Sequence, residues 1–101
     1  RVAALKRNDI MAISITTEGV VKACGSKLSL EDMQGLVGGY IEHVGIHVTI
    51  DGVLYKHLIV NEEGKLDGLP VNAKATEIVN FIGIADIIVG DVIFMEPGEF
   101  E

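Results

Sequence analysis

The sequence contains no tryptophan, one cysteine and two prolines, and aromatic residues make up only 5% of it. A single Cys24 cannot close an internal disulfide, so no disulfide framework staples the chain, and a reducing, cytoplasmic setting is expected. There is no cysteine pair, HExxH pattern or Asp-rich calcium loop, so neither a metal nor a cofactor is expected. No stretch approaches the ~20 apolar residues that span a bilayer, and no signal-peptide pattern opens the chain, so no membrane association is expected. Basic residues are scarce: 8 Lys and Arg stand against 15 Asp and Glu, a formal charge of −7. Three cations and one carboxylate give residues 1–10 a net +2, which leaves −9 on residues 11–101. Such a surface repels phosphate backbones. It argues against direct nucleic-acid binding and is compatible with a basic protein partner.

What remains is aliphatic. Hydrophobic residues form 49% of the 101 positions, so the core must be built from Ile, Val, Leu and Ala. A chain of this length buries roughly 60–70% of its unfolded surface, enough for one core. Residues 1–10 differ in composition and are expected to be an upstream extension, a cloning remnant or a short helix using Val2 and Leu5. The domain proper is expected at 11–101.

The hydrophobic period changes along the chain. AISITT (12–17) alternates as a half-buried strand does, Glu18-Gly19 turns, and Val20–Cys24 returns. Ser29 with Asp32 approximates a capping box for a helix over about 30–37. Its stripe is Leu30, Met33, Leu36 and Val37, and Gly38-Gly39 supplies the left-handed stop. Gly35 inside that helix implies close packing there. Asp51-Gly52 is a favoured type I′ turn, which predicts a central hairpin of 40–50 with 53–61. Asn72 caps a second helix, about 73–82, with Ala75, Ile78, Val79 and Ile82 inward. Residues 84–95 read as a final strand bulged at Gly90-Asp91. The fold class is therefore α+β: a small single domain, mainly antiparallel sheet, with two short helices.

Few residues suggest chemistry. His43 and His47 share a strand face but stand about 13 Å apart along it, too far for one metal ion. The register set by Asp51-Gly52 pairs His43 with Val60 and Ile46 with His57, which puts His57 on the opposite face. The glycines of GLVGG (35–39) close a helix instead of opening one, so they do not form a phosphate cradle. In NEEGKLDGLPVN (61–72) most residues have local tasks: Gly64 for a positive φ, Pro70 for rigidity, Asn72 for the cap. Asn61, Glu62 and Glu63 are required by no turn, and loops on rigid scaffolds are where binding groups sit.

LVGGYIE (36–42), NEEGKLDGLPVN (61–72) and DIIVGDVIF (86–94), in that order, resemble a family of short proteins of bacteriophages and bacterial mobile elements, known only as a domain of unknown function. The resemblance runs from about Met11 to Met95 and leaves residues 1–10 outside. It implies a small α+β fold and an intracellular accessory role. It marks Tyr40, Glu42, Asn61, Glu62, Gly64, Pro70 and Asn72 as positions to test.

The expected function is that of a non-catalytic phage or mobile-element accessory protein that binds and blocks a host protein or sequesters a small ligand. The ligand-binding residues would be Tyr40, Glu42, Asn61, Glu62 and Asn72. Tyr40 would stack on a ring, and the two asparagines would supply amide donors and acceptors. One alternative is a self-associating module, a homo-oligomer in which DIIVGDVIFM acts as an edge strand. The other is a small hydrolase using Glu42 or Glu62 as general base.

Overall fold

The computed structural model describes residues 11–100, so the expected extension at 1–10 lies outside the described residues. Along the chain come β1 (Ala12–Ile15), β2 (Val21–Gly25), α1 (Leu30–Val37), β3 (Ile41–Ile50), β4 (Val53–Asn61), α2 (Ala73–Phe81) and β5 (Val92–Met95). The five strands form one sheet in the order β2-β1-β5-β4-β3, and every neighbouring pair is antiparallel. The α+β expectation holds.

Local chemistry sets the helix ends as the sequence predicts. The Ser29 hydroxyl accepts from the Asp32 N–H at 2.9 Å, the Asp32 carboxylate accepts from the Ser29 N–H at 3.0 Å, and Gly38 ends α1 at φ 80°. Asp51 and Gly52 both adopt positive φ, as a type I′ turn requires. Each helix covers one sheet face. On one side Met33 and Val37 of α1 pack on Ala12, Ile59, Ile93 and Met95. On the other, Ala75 and Val79 of α2 pack on Ile15, Leu58, Val92 and Phe94. No helix among the described residues is long and apolar enough to cross a membrane.

Four expectations are corrected. Residues 84–95 do not form one strand: only 92–95 join the sheet, and before them Val89 makes an isolated bridge to Val71. That strand is also no edge. β5 is the central strand, paired with β1 and β4, and all four of its side chains are fully buried. Its unbroken apolar run, VIFM, is the mark of a strand covered on both faces. The sheet edges are β2 and β3, so DIIVGDVIFM offers no free edge for pairing with a second copy.

The third correction concerns register. The hairpin follows the turn as far as Val48↔Tyr55, then shifts, so that Gly45 faces His57, Val44 faces Leu58 and His43 faces Ile59. Ile46 and His47 together oppose Lys56 alone, a bulge in an exposed edge strand, where bulges discourage pairing with other chains. The fourth concerns glycines. Nothing lies within 4 Å of a Cβ built on Gly35, so close packing does not explain it. Gly64 is not in the positive-φ region; a Cβ there would stand 2.9 Å from Val89 Cγ2, so Gly64 is required for space.

Candidate functional site

The five residues expected to bind a ligand do not all meet at one place. Asn72 is completely buried. Its Nδ2 donates to the carbonyls of Ile15 and Gly90, both at 2.9 Å, and its Oδ1 accepts from the Ala75 N–H at 3.0 Å. That one amide caps α2 and ties it to the end of β1 and the start of β5, with no surface left for a ligand. Asn61 is also buried. Its Nδ2 donates to the Val37 carbonyl at 3.2 Å, and its Oδ1 accepts from the Glu63 N–H at 2.8 Å. Tyr40 is 68% exposed.

The three stretches 36–42, 61–72 and 86–94 meet one another. Gly39, in the first, has room for no Cβ, which would lie 2.8 Å from Asn61 Nδ2 in the second. Gly64, Leu69 and Asn72, in the second, contact Val89 and Gly90 in the third. The Gly90 N–H also donates to the Pro70 carbonyl at 2.8 Å. These stretches form a packed junction where the 61–72 loop is held between the end of α1 and the residues just before β5.

That junction supports a surface groove. Glu42 and Val44 of β3, Val60 of β4, Glu62 and Leu66 of the loop, and Asp86–Val89 enclose a depression of about 260 Å³. Three of the expected residues, Glu42, Asn61 and Glu62, line it. The far wall is fixed by α2: Thr76 Oγ1 accepts from the Ile88 N–H at 2.8 Å, and Asn80 Nδ2 donates to the carbonyls of Ile84 and Asp86. A wider, shallow depression of about 860 Å³ adjoins it, bounded by Asn80, Gly83, Ala85 and Ile87. Lys65 and Asp86 line both hollows.

The groove is acidic with an apolar lip. Leu66 is 88% exposed and Ile87 is 55% exposed. The Glu42 and Glu62 side chains are exposed and make no hydrogen bond or ion pair among the described residues. Lys65, the one cation lining the groove among the described residues, is neutralised by Asp86 at 2.6 Å. That ammonium, with the Ile87 N–H, holds the Asp86 carboxyl below its ordinary value. Leu66, Asp86 and Ile87 escaped the sequence reading. Asp86 and Ile87 fall in a run read as strand, and an exposed leucine between turn residues carries no pattern of its own.

The hairpin shift creates a second unanticipated feature. His43 Nε2 and His57 Nδ1 lie 2.8 Å apart, where the predicted register has them on opposite faces. Phe100 stacks on His43 with centroids 4.6 Å apart and planes 4° from parallel. Among the described residues no third His, Cys, Asp or Glu side chain joins the pair in a cluster of metal-ligating groups.

Fold and surface together define a small antiparallel α+β domain with an acidic, apolar-lipped groove at one end of its β3–β4 hairpin. The family model of DUF3846, a domain of unknown function, matches residues 9–101, and the chain belongs to that family. No curated protein and no solved structure gives a significant match.

Proposed function

We propose that the protein is a non-catalytic binding module that holds a basic segment of a partner protein across the groove between Glu42, Glu62 and the 86–89 wall. The observation that carries this reading is the combination of carboxylates without a partner among the described residues and exposed Leu66 and Ile87 at the groove's rim. Carboxylates in this arrangement steer a cationic segment and fix its register, while buried apolar contact supplies affinity. A depression of about 260 Å³ is below the roughly 300–1,000 Å³ of small-molecule pockets. It accommodates one or two side chains of a partner better than a sequestered ligand. The use of both asparagine amides in backbone contacts also favours a protein partner over a small molecule. In keeping with the phage and mobile-element resemblance, the partner would be a host protein and the consequence its blockade.

The test is a capture from host lysate followed by titration with the purified captured protein. The Glu42→Gln/Glu62→Gln and Leu66→Ala variants are expected to weaken binding by about tenfold or more, and added salt to weaken the wild type most. Binding that ignores all three changes and the salt concentration would remove the groove from the function.

A further inference from the structure

The β3 bulge brings two imidazoles into a geometry that no sequence pattern announces. His43 Nε2 and His57 Nδ1 face each other at 2.8 Å, with ring centroids 5.0 Å apart and planes tilted by 44°. Phe100 lies against both rings, stacked on His43 and 5.8 Å from the centroid of His57, and so restrains their orientation. Two facing ring nitrogens at this distance hold at most one proton between them.

We propose that His43 and His57 form a two-histidine binding site for a borderline divalent transition-metal ion such as Zn²⁺ or Ni²⁺, the ion taking the place of the shared proton. Imidazole is the preferred ligand type for these ions. At Zn–N bonds of about 2.0–2.1 Å, a metal angle between roughly 90° and 109° needs nitrogens about 2.9–3.3 Å apart. The pair has to open by a few tenths of an ångström, and each ring has to turn so that both nitrogens face an ion beside the N···N line. The proton balance is simple. The proton between the rings moves to the outward nitrogen of its own ring, leaving His43 with Nδ1–H and His57 with Nε2–H. Both rings stay neutral, and each presents a lone pair. His43 is exposed, so water can complete the coordination. Two ligands of the usual four carry roughly half the binding free energy of a structural zinc site, which corresponds to a Kd of about 1–200 µM. The site is separate from the groove and does not depend on the reading given for it.

Titration of the full chain with Zn²⁺, followed through the imidazole C–H resonances, tests the proposal. The first equivalent is expected to move the signals of His43 and His57 together and to leave His47 in place. Mg²⁺ at the same concentration is expected to move neither, because it selects carboxylate oxygens. His43→Gln and His57→Gln are each expected to weaken Zn²⁺ binding by about tenfold or more, in proteins whose circular dichroism matches the wild type. Should either variant fail to fold, the wild-type resonances decide. No joint response of His43 and His57 up to 1 mM Zn²⁺, on the order of five times the upper Kd, overturns the site. An equal response of His47, or variants that bind as tightly as the wild type, does so as well.

Discussion

Residues 61–72 divide between two environments only a few positions apart. At its ends, Asn61 and Asn72 turn inward, and every hydrogen bond their amides make goes to backbone. Between them, Glu62 and Leu66 stand in water at the groove lip. All of these belong to one motif-like stretch, yet the first pair holds the fold together and the second is available to a partner. A polar residue's role follows from whether its atoms are already engaged by the chain. Substitution should therefore separate the two groups by stability alone.

The largest effect is expected at Asn72. Asn72→Ala removes the α2 cap and strands two buried carbonyls, those of Ile15 and Gly90. Loss of a cap costs about 0.5–2 kcal/mol and each orphaned buried group about 1–3 kcal/mol. With partial relaxation, about 2–4 kcal/mol is expected, measured by urea unfolding. A loss below about 1 kcal/mol would mean that Asn72 is not the strut its contacts describe.

Asn61→Ala comes next, at about 1–2 kcal/mol, because it removes one bond to the Val37 carbonyl and one from the Glu63 N–H. Its contact with Gly39 gives a sharper test. Gly39→Ala places a methyl 2.8 Å from Asn61 Nδ2, so it should be costly in the wild type and milder beside Asn61→Ala. A coupling of about 1 kcal/mol in that cycle would establish the contact, and strict additivity would disprove it.

The inward group is partly legible in the amino-acid sequence. Asn72 stands ahead of an apolar stripe of helical period, and capping chemistry is local, so its role as a cap can be read directly. Its two other bonds cannot, because Ile15 is 57 positions away. The β3 bulge is hidden for a related reason: an extra residue in an edge strand changes neither composition nor alternation, yet it moves His57 from one pairing to the next. The central place of β5 is obscured because 84–91 extends its apolar run without joining the sheet. The groove is half legible. Glu42 and Glu62 stand out as residues without a local task, but the opposite wall comes from a segment more than twenty positions further on, hung from α2 by Thr76 and Asn80.

At the rim the expected effects shrink. The Lys65–Asp86 pair is about half exposed, and exposed pairs contribute only about 0.2–1 kcal/mol. Asp86→Asn keeps the acceptor for the Ile87 N–H and removes the charge, so it should cost a few tenths of a kcal/mol at neutral pH. Because the folded protein holds this carboxyl below 3.8, its contribution is complete above that value. It is lost as pH falls through the lower folded value. The wild type and the variant should therefore converge in acid, and a gap that persisted at the lowest pH would mean that the pair's charge is not the cause.

The smallest effect on stability is expected where the effect on binding is largest. Glu42→Gln and Glu62→Gln remove charges that no described group in the protein engages, so each should change unfolding free energy by no more than about 0.5 kcal/mol. A slight gain is the expected sign, since the chain carries −7 and self-repulsion opposes the compact state. The same substitutions should lower the affinity for a basic partner and flatten its salt dependence. Stability and binding would then be carried by different residues of one twelve-residue stretch. If either glutamine variant instead unfolds as easily as Asn61→Ala, the carboxylates belong to the scaffold, and the groove loses its claim to be the binding surface.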